Sequence, residues 1–498
     1  VLIYAGILFA GGLHLAERNS VPERHLKLQM PIVERLGRSL LLEMSSVATV
    51  TPRPILPLVV DRSSGKKPFN IILFIYESTA RNVTSIDPAN RTQPETTPFL
   101  RQLADEGFEA PDAYTAASHS SKSLVGMLCG QHPYPLLRDR IEISVFLNTC
   151  LPQALAEGGY RTGFFQAPDL EYEHREFMTR LMGFQTVQGG DSADPTGFAH
   201  LNYFGYEDRI ILKPALEWVK QTAEPYFLTI MSGTTHHPYG SPGHPVADGT
   251  QLPHDEARAL HRIGLRYVDD FFRDVVRGIE AARGLKNTLI IAVGDHGEAF
   301  GEHGLKFHDF VPYEQAVKVP LVVWGPEVLT PERVGRSLMA GTRIDGLRHV
   351  IDIMPTLLNL EGWSWSEGSL PGRPLLDLEG HASVMSSCLS PNQCMMMRDK
   401  QYKYIQHEWY LNDRLEVYDV LADPDELRDL ASTLPPPLLR EKQLEMWNTK
   451  EQLIAQYDLI AKTRPRAELP EEDQTNLSSA SLRYLGIIPT KAARGSRW

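Results

Sequence analysis

The chain is short of positive charge, of cysteine and of long apolar runs, and each shortage narrows what it can be. Its 50 Lys and Arg stand against 62 Asp and Glu, a formal charge of −12 over 498 residues. A general nucleic-acid binder carries a basic footprint, so no nucleic-acid partner is expected. An anionic substrate would have to be captured by local groups, because the global field repels it weakly. The four cysteines are Cys129, Cys150, Cys388 and Cys394. They suit two pairs in an oxidising compartment, 129 with 150 and 388 with 394, and equally suit four buried thiols. No initiator Met opens the chain, and no internal repeat runs through it. The opening "VLIYAGILFAGG" is apolar for about a dozen residues, against the ~20 that a membrane span needs. Residues 1–19 are therefore expected to be a truncated membrane or signal segment.

What is present is ordinary globular material. Apolar residues make up 42% and charged residues 22%, which excludes disordered, collagen-like and coiled-coil chains. The length suits two or three domains. Residues 20–67 read as a juxtamembrane helix and a Pro-rich linker. From residue 68 the texture changes. "FNIILFIYES" and "NTLIIAVGDHGE" are near-continuous β-rich apolar runs, the mark of strands buried on both faces. "RTGFFQA", "YFLTIMSG" and "VKVPLVVWG" add strands. "TTPFLRQLADEG", "LPQALAEGGY", "PALEWVKQTA", the long "HDEARALHRIGLRYVDDFFRDVVRGIEAARG" and "HVIDIMPTLLNLEG" read as helices, and "SSKSLVGML" as a short helix behind a serine cap. Strands alternating with helices predict an α/β fold, with a mostly parallel sheet covered on both faces, over 68–375. "QYKYIQHEWYLNDRLEVYDV" predicts a small C-terminal antiparallel subdomain of two or three strands over 376–435. An amphipathic helix and a polar tail follow over 436–498.

In open α/β sheets, sites form beyond the carboxyl ends of the strands. Those ends carry Glu77 in "IYES", Asp295 and His296 in "GDHGE", and His236 and His237 in "IMSGTTHHPY". "SHSSKS" falls between two strands. Each alone is a polar turn; together they form a constellation. Glu77, Asp295 and His296 offer two hard oxygens and an imidazole, which suits one divalent cation such as Mn²⁺, Mg²⁺, Zn²⁺ or Ca²⁺. A metal beside a serine hydroxyl activates it for attack. Lys122, Lys306, His236 and His308 can complement the oxygens of a tetrahedral anion. The set fits phosphoryl or sulfuryl ester transfer through a covalent intermediate.

The stretches "TTPFLRQLADEGFEAPDAYTAAS…LCG", "GDHGEAFGEHGLKFHDFVPYEQAVKVPLVVWGP" and "HVIDIMPTLLNLEG" resemble the sulfatase branch of the alkaline phosphatase superfamily. "LEVYDVLADPDELRDLA" resembles the C-terminal strand region of sulfatases, so the likeness covers about residues 68–430. It implies an alkaline-phosphatase-like sheet, a metal set of Glu77, Ser120, Asp295 and His296, and Ser120 as nucleophile. His236 and His308 become anion binders and candidate proton donors, with Lys122 and Lys306 as lesser partners. Ser118 and Ser121 remain alternative nucleophiles, and His303 a further candidate.

The details depart from arylsulfatases. Those carry paired aspartates after the first strand and Cys/Ser-x-Pro-Ser-Arg at the nucleophile, which is oxidised to formylglycine. Here a single Glu77 ends the strand, and Lys122 and Leu124 stand where Pro and Arg would. That pattern is similar to the lipoteichoic acid synthases and phosphoethanolamine transferases, membrane-anchored enzymes with an unmodified hydroxyl nucleophile. The expectation is a membrane-anchored enzyme with a periplasmic or extracellular catalytic domain. It would hydrolyse or transfer an anionic ester, from a phospholipid or a cell-envelope glycan, through a metal-bound serine. Phosphoester chemistry is favoured over sulfuric ester hydrolysis. A catalytically silent membrane-anchored binding module is the rival of another class. A two-metal phosphatase or phosphomutase would need extra ligands, for which only His303 and Asp309 are near in sequence.

Overall fold

The fold was read from a computed structural model, which describes residues 56–91, 94–135, 145–308, 311–388, 394–409 and 412–463. The expected N-terminal segment 1–19, the juxtamembrane helix, most of the linker, Asp309 and the tail beyond 463 lie outside the described residues. Among the described residues no helix is long and apolar enough to cross a membrane.

Eight strands form the central sheet: β1 (Asn70–Tyr76), β2 (Phe108–Glu109), β3 (Arg161–Gln166), β4 (Thr186–Gln188), β5 (Tyr226–Met231), β6 (Thr288–Gly294), β7 (Leu321–Trp324) and β8 (Thr342–Arg343). Their spatial order is β8-β2-β7-β6-β1-β5-β3-β4. β6, β1, β5, β3 and β4 run parallel to one another, whereas β7 is antiparallel to both β6 and β2. The sheet is therefore mixed and mostly parallel. β2, β4 and β8 are two or three residues long, too short for a periodic signal in the sequence.

The unbroken apolar run of β1 follows from its central position. Successive side chains point to opposite faces, and both faces are covered. Ile71, Leu73 and Ile75 join one core, with α2 (Ser120–Cys129), α3 (Leu151–Glu157) and α7 (Ile353–Glu361) supplying Leu124, Leu128, Leu155, Met354 and Leu358. Ile72, Phe74 and Tyr76 join the other, against α1 (Pro98–Glu106), α5 (Leu212–Gln221) and α6 (His254–Arg283). Helix α4 (Arg175–Leu181) follows β3 at the sheet's far side. Each fully buried Ile, Leu or Phe contributes about 1.5–3 kcal/mol, so the two cores carry the stability of the domain.

The C-terminal element has four strands rather than two or three. β9 (Val384–Ser387), β10 (Met395–Arg398), β11 (Tyr402–Trp409) and β12 (Asn412–Asp419) form an antiparallel sheet in sequential order. β9 and β10 are four residues each and are joined through the Cys388–Cys394 disulfide. Met396 and Ile405 face the main α/β domain, while Met397, Tyr404 and Val417 pack with Met446 of α8 (Pro436–Thr463). Edge strand β9 reaches the main α/β domain directly. The Ser387 N–H donates to the Ala116 carbonyl at 3.1 Å, and the Ser118 N–H to the Ser387 carbonyl at 3.0 Å. All four cysteines are paired, Cys129–Cys150 being the second disulfide.

Candidate active site and metal centre

Register alone brings the first carboxylates together. β1 and β6 are parallel neighbours in which Tyr76 pairs with Gly294, so the next residues, Glu77 and Asp295, leave adjacent strand ends side by side. The Asp295 N–H closes this step by donating to the Tyr76 carbonyl at 3.1 Å. On the other side of β1, the Ser232 hydroxyl accepts the Glu77 N–H at 3.0 Å, and the Thr235 hydroxyl donates to the Glu77 carbonyl. The loop carrying His236 is held by Asp208, whose carboxylate takes the Gly233 N–H at 2.6 Å and the Thr234 N–H at 3.2 Å.

His296 follows Asp295, and Gly297 follows it because a Cβ there would lie 2.0 Å from the Gln315 carbonyl oxygen. The His296 Nδ1 lies 2.9 Å from the Gly297 carbonyl, so it carries the proton and leaves Nε2 as a lone pair. That Nε2 is 3.4 Å from Asp295 Oδ2 and 3.6 Å from Glu77 Oε1. The hydroxyl of Ser123 reaches back from α2 to the Asp295 carbonyl, which seats the helix against the cluster. Ser120 is the first residue of α2. Its Oγ donates to Glu77 Oε2 at 3.1 Å and lies 3.2 Å from His296 Nε2. The expected serine cap is absent: His119 occupies the capping position and caps nothing with its side chain. The helix begins one residue earlier than a Ser120 cap would require, and the Ser120 hydroxyl turns to the cluster instead.

Glu77, Asp295 and His296 are all fully buried and could together hold a metal ion. Burial and the facing Asp295 push the Glu77 carboxyl up to about 8, and burial also raises Asp295. Burial, reinforced by His308, pushes His296 down to about 4. Two carboxylates and a neutral imidazole crowd together at the cluster. Asp295 Oδ2 makes no hydrogen bond among the described residues. An orphaned buried carboxylate oxygen beside an imidazole lone pair and a hydroxyl is the donor set of a divalent cation, and these residues fit one.

The remaining candidates divide. His308 stands over His296 with ring centroids 4.0 Å apart, and its Nδ1 faces both oxygens of buried Glu298 at 3.3 Å. His236 lies one ring further out, 6.2 Å from His308, stacked on Phe204 at 3.9 Å. Its Nδ1 bonds the His237 carbonyl at 2.9 Å, and burial holds the ring well below the usual imidazole range. Lys122 is buried in the first turn of α2. Lys306 turns away to donate to the Leu252 carbonyl at 3.1 Å. His303 stacks on Tyr313 at 3.8 Å, on the side of the C-terminal sheet. The Ser121 hydroxyl donates to Glu173, and the buried Ser118 hydroxyl has no partner among the described residues.

Sequence reasoning missed Glu298 and Glu173. Glu298 stood in "GDHGE", two residues past His296, and its distance from His308 along the chain hid the pairing. Glu173 sits in the charged run "EYEHRE", and nothing in that run points to a serine 52 residues earlier. Its carboxylate meets His119 Nε2 at 2.7 Å and Arg175 at 3.0 Å. Burial raises its carboxyl, but His119 and Arg175 more than reverse this and hold it well below the usual range.

Comparison with known proteins completes the picture. The family profile described as Sulfatase matches residues 69–362. Arylsulfatase K from Mus musculus is 26% identical over 194 residues, 36% of this chain and 33% of that protein. Phosphoglycerol transferase I from Xanthomonas campestris pv. campestris (strain B100) is 28% identical over 282 residues, 53% of this chain and 38% of that protein. The chain thus spans about a third of the length of these relatives. Among solved structures, the lipoteichoic acid synthase LtaP from Listeria monocytogenes matches with a TM-score of 0.58 at 16% identity, over 84% of this chain and 98% of that one. A 2-O GAG sulfatase matches with a TM-score of 0.60 at 18% identity, over 82% and 96%. These two likenesses are of fold.

Proposed function

The chain belongs to the sulfatase family of the alkaline phosphatase superfamily, and from that premise we propose that it is a metal-dependent enzyme acting on a phosphate ester through the unmodified hydroxyl of Ser120. The observation that carries this reading is the position of Ser120 Oγ, within 3.2 Å of both Glu77 and His296 at the buried cluster. Glu77, Asp295, His296 and Ser120 would hold the cation, which when bound supplies Lewis-acid activation of the hydroxyl and charge neutralisation of the ester. The chain's own groups do the rest. Ser120 Oγ releases its proton to solvent and bonds to phosphorus as the ester's alcohol leaves, giving a phosphoserine that water or a second alcohol then resolves. His308, oriented by Glu298 and standing directly over His296, is better placed than His236, one ring further out, to hand a proton to the leaving oxygen. His236 contributes a wall to the anion subsite.

Phosphoester chemistry is favoured over sulfuric ester hydrolysis by residues around the nucleophile. Lys122 and Leu124 stand where formylglycine-forming sulfatases carry Pro and Arg, and one Glu77 replaces an aspartate pair. The phosphoglycerol transferase relative also aligns over more of the chain than arylsulfatase K does. Two disulfides favour an extracytoplasmic location, which accords with a membrane-anchored enzyme acting on a lipid or cell-envelope glycan ester. Sulfuric ester hydrolysis is the second reading. The intact hydroxyl, carboxylate and imidazole set speaks against a silent binding module.

The test is to assay the purified Mn²⁺-loaded chain on an aryl phosphodiester, a lipid phosphodiester and an aryl sulfate. Turnover of a phosphodiester is expected, with Ser120→Ala reducing kcat by at least about 1,000-fold. Turnover of the sulfate alone, with a formylglycine mass change at Ser120, would replace this reading with the second.

A further inference from the structure

Glu173 belongs to no part of the metal cluster, yet its carboxylate touches both residues that flank Ser120. Oε1 meets His119 Nε2 at 2.7 Å, and Oε2 accepts the Ser121 hydroxyl at 2.5 Å. We propose that Glu173 is a positioning residue, which aims the Ser120 hydroxyl at the cluster by gripping its two chain neighbours. The inference rests on Ser120 as the nucleophile.

Four observations lead there. First, the start of α2 lacks its usual lock. A helix N-terminus is ordinarily fixed by a capping side chain that accepts a first-turn N–H, and His119 makes no such bond. The side chain of the first helical residue must then be aimed by something else. Second, Ser120 is not locked by the cluster. Its hydrogen bond to Glu77, at 3.1 Å, is longer than the ~2.7 Å usual for an O–H···O bond. The tighter contacts of this segment are those made by residues 119 and 121 to Glu173.

Third, Glu173 is itself anchored. Arg175 is 1% exposed, and the hydrogen bond of its guanidinium among the described residues goes to Glu173 at 3.0 Å, with Nε and Nη1 making none. An acidic group beside the nucleophile would repel an anionic ester. The Arg175 guanidinium offsets that charge, so the grip remains without the repulsion. Fourth, the backbone is bent to deliver it. Glu173 and His174 both adopt left-handed conformations, at φ 53° and 51°. Two consecutive non-glycine residues hold that geometry only where surrounding contacts over-determine it, and such strain gathers at functional sites.

The experiment compares full-length Glu173→Ala, Glu173→Gln and Ser121→Ala with the wild type, on the ester the wild type turns over best. Glutamine keeps an acceptor for Ser121 but loses the charge that holds His119 and Arg175. The expected loss in kcat is about 100-fold for alanine and about 10-fold for glutamine, with KM within about 3-fold and Ser121→Ala between the two. The peptide covering 118–129 is expected to exchange its amide hydrogens faster in Glu173→Ala, with Tm and bound Mn²⁺ as in the wild type. An unchanged kcat in Glu173→Ala overturns the proposal. So does a kcat loss that merely tracks a fall in Tm, or a rise in KM at constant kcat, which would make Glu173 a substrate-binding group. If the wild type turns over no ester at all, the Ser120 chemistry fails separately. The grip is then judged by exchange alone, and unchanged exchange across 118–129 in Glu173→Ala removes it.

Discussion

Ser120, Glu77, Asp295 and His296 come from three segments, and their chemistry is set by the water they have lost. Glu77 is raised to about 8 because a buried carboxylate faces another. A cation can bind only once that proton has left. The sign follows: apparent Mn²⁺ affinity should climb as pH rises from about 6 to about 8 and flatten above, because protons compete below the Glu77 value. Competition titration against a chelator at a series of pH values checks this, and Glu77→Gln should weaken binding and shed that slope. Glu77, Asp295 and His296 were legible because each sits just past a strand end, where sites form, whereas Ser120 was singled out from its neighbouring serines only by the family resemblance. Glu298 and Glu173 were not, because each acts on a partner that only the folded chain brings near.

Elements are held to one another by buried polar groups as much as by apolar faces. Asp269 on α6 is fully buried, accepts the Tyr76 hydroxyl at 3.0 Å, and takes the Phe99 and Leu100 N–H groups at 2.7 and 3.0 Å. It thus caps α1 from another helix and ties both to the end of β1. Asp269→Ala leaves two N–H groups without acceptors and should cost about 2–4 kcal/mol in urea unfolding. A loss below ~1 kcal/mol would show that water replaces the carboxylate. At this scale the long helices and apolar strands were readable from periodicity. The direction of β7 was not, since an apolar run looks the same in either orientation. The first two C-terminal strands were missed because four residues closed by a disulfide show no period.

Across the described residues the main α/β domain is braced by a second sheet, and the helix that begins at Ser120 is pinned at both ends. Cys129, the last residue of α2, is bonded to Cys150. Cys388 follows the strand that pairs with Ala116 and Ser118, just before the helix. Loop-closure entropy assigns about 3 kcal/mol to the first bridge and about 2 kcal/mol to the second. Reduction should therefore lower unfolding free energy by about 5 kcal/mol, a large share of the 5–15 kcal/mol typical of folded proteins. Urea unfolding with and without reductant measures it. A change within ~1 kcal/mol would mean that the two bridges add little to the packing and hydrogen bonds around them.

Composition, strand–helix alternation and the placement of Glu77, Asp295 and His296 at strand ends were enough to determine an α/β fold and a polar edge with metal-ligand chemistry. They are local properties: hydrophobic period, residue type and position within an element. The cysteine pairing, the reversal of β7, the contact of Glu298 with His308 and those of Glu173 with His119 and Ser121 were decided by tertiary structure. Each depends on which distant segments meet. That is fixed by register between strands and by packing between layers, and a residue carries no local mark of either.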